Sequence, residues 1–199
     1  MSADKPDVLF ARPLYSYSLD EVAGFSLAVG LPALALKVMR ERFAGGIGED
    51  APYEACERYF LATMMNKRTV EGLAIAEQVE RRFPAQFAAR NNVAYLKLLL
   101  ERNLEETARE VEKLAKEGPP LPAFRTTLAL ARLQTGKPKE ALAAITEEGV
   151  PVYRDDADKA VCIAILRANG KGDAAKNLVE TVKVERLLPG DRPEPTYLV

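Results

Sequence analysis

The chain of 199 residues contains no histidine. That removes the side chain most used as a general base near neutral pH and the commonest metal ligand. Its two cysteines, Cys56 and Cys162, have no second cysteine at metal-ligand spacing, so no zinc or cluster framework is present. Each reads as a small core hydrophobe, outside any disulfide within the molecule. A surplus of positive charge is missing too: 28 Lys+Arg stand against 29 Asp+Glu, for a net charge of −1. Binding to nucleic acid is driven by neutralising phosphates, so the charge balance argues against a nucleic-acid partner. A membrane-spanning run is also lacking. Residues 22–36 (VAGFSLAVGLPALAL) are uncharged, but Gly30 and Pro32 interrupt them, and a spanning helix needs about 20 apolar residues. The run follows Asp20-Glu21 rather than basic residues, so it does not read as the apolar region of a signal peptide. It reads as a buried helical hairpin. No basic-then-apolar leader follows Met1. The expectation is a soluble protein, either cytoplasmic or a mature fragment of an exported one.

Motifs for catalysis are equally thin. Asp155-Asp156-Ala157-Asp158 lacks the glycine and the closing glutamate of a calcium loop, and reads as a helix N-cap with acids in the first turn. Gly45-Gly46-Ile47-Gly48 has neither Gly-Lys-Ser/Thr after it nor a strand pattern before it. Glu105-Glu106 and Glu147-Glu148 fall on polar faces or helix ends. No acid/base constellation emerges, so the chain is expected not to be an enzyme and to carry no catalytic, metal or cofactor site. An enzyme on a helical toroid and a helical-repeat RNA binder are the alternatives. The first lacks catalytic groups and the second lacks cations.

What is there is a repeat. Gly136 and Gly170 lie 34 residues apart, as do Ala141 and Ala175, Leu128 and Cys162, and Ile145 and Val179. A further step of 34 back reaches Arg102, Thr107, Ala94 and Val111. Small or apolar residues thus recur where two helices must touch, and a period of 20–50 residues marks stacked structural repeats. With hydrophobic residues at 48%, the chain can bury the core such stacking needs. Turn signals divide it into five helical hairpins over about 19–43, 53–83, 85–117, 122–149 and 155–188. Gly30-Leu31-Pro32 and Gly136-Lys137-Pro138 each supply a glycine helix end followed by a proline suited to the next first turn. About ten helices and no sheet are expected. Residues 1–18 form an N-terminal extension, in which Phe10, Leu14 and Tyr15 are expected to cover the apolar first hairpin unless a second subunit does. Residues 189–199 form an extended proline-rich tail.

Over residues 88–185 the pattern resembles the tetratricopeptide repeat family. Asn91-Asn92-Val93-Ala94-Tyr95 is similar to the opening of the family's first helix. Leu104-Glu105-Glu106-Thr107 and Pro138-Lys139-Glu140-Ala141 are similar to the opening of its second, and Pro119 to its closing proline. Val70-Glu71-Gly72-Leu73-Ala74 through Phe83-Pro84 follows the pattern more loosely. The family's early tryptophan is missing from every repeat, and the third repeat has one residue too many before Leu104. The resemblance implies an all-α, right-handed superhelix of about five hairpins whose first helices line a concave groove. It implies a non-catalytic scaffold that binds a protein or peptide there. By register the groove would take Leu61, Met64 and Met65 from the second hairpin and Asn91, Asn92, Tyr95 and Leu98 from the third. Thr126, Leu130 and Leu133 would come from the fourth, and Ala164 and Arg167 from the fifth. The family's carboxylate clamp of Asn, Lys and Arg is not matched. Asn92 could serve, but Glu57, Leu61, Ala123 and Thr127 stand where polar and basic groups are needed. The apolar first hairpin and the tail ending Thr196-Tyr197-Leu198-Val199 are candidates for self-association.

Overall fold

Four helix ends among the described residues are set by a left-handed turn residue at nearly the same place in each repeat. The computed structural model describes residues 17–147 and 150–188. Among these it contains ten α-helices: α1 (Leu19–Ala28), α2 (Pro32–Arg42), α3 (Tyr53–Met65), α4 (Thr69–Arg82), α5 (Phe87–Leu99), α6 (Leu104–Glu117), α7 (Pro122–Gln134), α8 (Pro138–Ile145), α9 (Asp156–Ala168) and α10 (Gly172–Val179). The all-α reading therefore holds, with one small correction. Thr146–Glu147 (β1) pairs antiparallel with Val150–Pro151 (β2), where no sheet was expected. The side chain of Arg125, on α7, holds this stretch. It donates to Ala144 O at 3.2 Å and Thr146 O at 3.3 Å, and it pairs with Glu147. These bonds take up carbonyls that the eight-residue α8 leaves unpaired at its end.

Four of the first helices stop in the same way. Gly30, Glu101, Gly136 and Gly170 each adopt positive φ, between 51° and 76°. The amides just after them reach back to Ser26 O, Lys97 O, Arg132 O and Leu166 O at 2.8–2.9 Å. This is the left-handed cap that lets the chain reverse into a second helix. The third repeat's cap is Glu101 and not Arg102, the residue a strict step of 34 selects. The surplus residue lies after the cap, where Asn103 takes a second left-handed conformation (φ 50°) before α6 begins.

The fold parts into two compact units, one through Asn66 and one from Lys67 onward. In the first, α1 packs on α2 and α3, and α2 on α3. Ala35, Leu36 and Ala62 are buried with Leu27 and Tyr59 against them, and Phe43 stacks on Tyr59 with ring centroids 5.4 Å apart. Only one side of the 22–36 hairpin is core. Phe25, Val29, Leu31 and Leu34 remain 43–52% exposed, which corrects the expectation that the whole run is buried. The segment expected to cover it, apart from Tyr17, lies outside the described residues. No helix among the described residues is long and apolar enough to cross a membrane.

In the second unit α5, α7 and α9 form one layer, each touching the next, while α6 and α8 fill the gaps behind them. At the ends of this layer α4 packs on α5 and α10 on α9. The core runs continuously through Ala94, Leu98, Val111, Ala129, Leu130, Ala141, Ile145, Cys162, Ile165 and Ala175. The small residues of the 34-residue period therefore sit at helix–helix contacts, where a side chain no larger than alanine lets axes approach to about 8–10 Å. Both units use one further device. Asn66 Nδ2 donates to Pro32 O at 2.8 Å, and Asn169 Nδ2 to Pro138 O at 2.8 Å, tying a first helix to the start of the preceding second helix.

Candidate peptide-binding face

The left-handed caps give a common ruler for the face made by α5, α7 and α9. Six residues before Glu101, Gly136 and Gly170 stand Tyr95, Leu130 and Ala164. Three residues before them stand Leu98, Leu133 and Arg167. Because the three helices pack in succession, each set forms a row across the layer.

Burial sorts these rows into floor and surface. Leu98 is 0% exposed and Leu130 8%, so both belong to the core beneath the face and have no area to give a ligand. Asn91 and Thr126 are buried as well. That narrows the lining expected from register. Tyr95, Asn92, Leu133 and Arg167 are half-buried and Ala164 is exposed, which leaves a shallow surface with one aromatic, one aliphatic and one cationic group. Two buried polar atoms at these positions take no hydrogen bond, Asn91 Oδ1 and Arg167 Nη1. Leu61, Met64 and Met65 all lie on α3 in the first unit. Leu61 and Met65 are exposed and Met64 is half-buried.

One polar cluster on this face was not foreseen as such. Asp158, 6% exposed, accepts three bonds from Arg154: from its backbone N–H at 3.0 Å, Nε at 2.7 Å and Nη2 at 3.0 Å. Burial pushes the Asp158 carboxyl up, but the bonds from Arg154 and from the Thr126 hydroxyl outweigh it and hold the group below the usual range. The bond to Asp158 raises the Arg154 guanidinium further. Arg154 and Thr126 of α7 thereby meet at one carboxylate of α9. The N-cap reading of the acidic run is borne out, since Asp155 Oδ1 accepts from the Asp158 amide at 2.9 Å. The sequence signal for the cluster was present, in Arg154 four residues before Asp158. Its meaning depended on Thr126 being brought alongside.

No protein-family model and no curated protein matches the chain. Solved structures do. The chain is similar to a putative kinesin light chain from Podospora anserina with nearly identical TPR-like repeats, at 18% identity and TM-score 0.53, over 84% of this chain and 93% of that one. A variant form of the same fungal protein gives TM-score 0.55 at 17% identity, over 84% and 92%. The chain is also similar to a thermophilic TPR protein from Thermus thermophilus, at 12% identity and TM-score 0.59, over 82% and 87%. The fold is that of TPR-like helical repeats.

Proposed function

We propose that the protein is a non-catalytic scaffold that binds a peptide or helix of another protein on the face of α5, α7 and α9. The observation that carries this reading is the pair of rows across three successive helices. Their buried members, Leu98 and Leu130, form a rigid floor. Tyr95, Leu133 and Arg167 stand above it, with Ala164 leaving room beside them. A half-buried tyrosine offers apolar area with a polar tip, and interface hot spots are rich in tyrosine and arginine. The half-buried Arg167 adds a cation to the face that carries Tyr95, the pairing of residue types that interface hot spots favour. Leu61, Met64 and Met65 offer the first unit a comparable apolar strip, adaptable through its methionines.

The test is selection of peptides from a random display library on the purified protein. Peptides so obtained should lose about tenfold or more in affinity for a Tyr95→Ala, Arg167→Ala double variant, the scale of a hot-spot truncation. Glu106→Ala, on the exposed side of α6, should leave their affinity unchanged. If the double variant binds them as the native protein does, the working surface lies elsewhere.

A further inference from the structure

After α10 the chain does not leave the molecule. It turns and crosses back over the second unit. Lys159, on α9, donates to Thr181 O at 3.2 Å. Arg186 Nη1 then lies 3.8 Å from Asp156 Oδ2, a carboxylate that Lys159 also meets at 3.3 Å. A 3₁₀ turn over Val184–Arg186 brings the backbone to Lys67, the residue before the N-cap of α4. Lys67 Nζ donates to Leu187 O at 2.7 Å and to Glu185 O. Leu187 is 0% exposed, while Val184 beside it is 49% exposed. One leucine side chain is therefore seated, and the backbone around it is held by two lysine ammonium groups.

Lys67 carries a second mark. It sits at φ 60°, in a turn where Gly30, Gly136 and Gly170 serve other hairpins. A side chain in the left-handed region is strained, and strain of this kind collects where the residue is needed for something else. Glycine would suit the turn but could not reach the carbonyls of Glu185 and Leu187.

We propose that Lys67, Lys159, Asp156 and the site of the Leu187 side chain form a seat for an extended, leucine-bearing segment. It is occupied in cis by residues 181–187 and open in exchange to a segment of the same kind from a partner protein. This deepens the peptide-binding reading above and rests on it. The specificity is for a main chain that offers carbonyls to the two ammonium groups and a branched apolar side chain one residue beyond a cation that meets Asp156. The cis segment is held by a few polar bonds, one buried side chain and the half-buried Val182 against the core, with no strand ladder, so it can be displaced. Its tether keeps it at an effective concentration of about millimolar. A partner segment therefore wins only if it adds contacts elsewhere on the second unit. The seat thus filters out weak ligands.

The probe is a labelled synthetic peptide of residues 180–188, added to the full chain and followed by fluorescence polarisation. Native protein should bind it poorly, because the seat is filled. A Leu187→Ser protein with an unchanged circular dichroism spectrum should bind it about tenfold more tightly, the scale of removing one seated apolar side chain from the competing cis segment. The same peptide carrying Leu187→Ser should bind neither. Equal binding to both proteins, or to neither, overturns the proposal.

Should Leu187→Ser fail to fold, Lys67→Ala carries the test, since it removes the ammonium and leaves the buried leucine. Trypsin should cut after Lys183 and Arg186 about tenfold faster in that variant than in native protein, because lost charged hydrogen bonds raise the open population. An unchanged rate overturns the proposal. If both results hold while the selected peptides ignore Tyr95 and Arg167, the seat stands and the face proposed around it falls. If only the seat results fail, the reverse is true.

Discussion

Asp158 shows how one residue can join two helices, α7 and its own α9. Its carboxylate is buried, yet bonds from Arg154 and Thr126 keep it ionised. The sign of its pH effect follows. A carboxyl whose folded pKa is depressed binds protons more tightly in the unfolded chain. Its contribution is therefore present above the ordinary carboxylate pKa and is lost as pH falls through the depressed value. Asp158→Asn should lower stability at neutral pH by about 1–3 kcal/mol, because the amide cannot hold the guanidinium and leaves buried polar atoms unpaired. Denaturant melts of both proteins from pH 7 to pH 2 should show that difference shrinking in acid. A pH-independent difference would mean the side chain matters for shape and not for charge. The pair was legible as an i, i+4 Arg–Asp spacing, but its burial was not, since nothing local places Thr126 against it.

At the scale of the element, the helix–turn–helix hairpin is written in its caps. A glycine at positive φ ends α1, α7 and α9, and a glutamate does the same work at the end of α5. Glu101 is strained there by about 1–2 kcal/mol relative to a residue without Cβ, and part of any gain from glycine is offset by the freer unfolded chain. Glu101→Gly should therefore raise stability by a net of about 0.5–1 kcal/mol, visible as an upward shift in melting temperature. Lower stability would show that Glu101 makes contacts worth more than its strain. The step of 34 residues pointed at Arg102 because it assumes equal loops. The third turn carries one more residue, and a left-handed residue is recognised by geometry when its type is not glycine. The truncation of α8 and the short β1–β2 pair escaped for a similar reason. They depend on Arg125 reaching from α7 to the carbonyls of Ala144 and Thr146.

For the whole molecule, the division at Asn66 and Lys67 falls inside the second expected hairpin, between α3 and α4. Each unit holds one cysteine, both buried and neither in a disulfide, so the thiols report on the two units separately. Burial pushes the Cys162 thiol up to about 11, which makes it unreactive at pH 8 until its unit opens. Compact units that open separately do so with their own free energies. Labelling with iodoacetamide across a denaturant series, read by mass spectrometry, should give distinct midpoints for Cys56 and Cys162. Coincident midpoints would mean that the chain opens as one cooperative body. Full protection in native buffer and two titratable thiols after denaturation without reductant are expected in either case.

The number of hairpins, most of their turns and the residues between their helices were set by local sequence, because apolar period, capping glycines and helix-starting prolines act within a few residues of one another. The buried positions Ala94, Thr107, Val111, Ala141, Cys162 and Ala175 all lie on that 34-residue pattern. Tertiary structure alone decided which groove-register residues keep any surface. Leu98 and Tyr95 sit three residues apart on one helix, yet one is floor and the other is face, because burial depends on what α7 and α9 bring alongside. It alone also decided that Lys67 meets Leu187. The two lie 120 residues apart, and no periodicity reaches that far, since the contact exists only once every repeat between them has stacked.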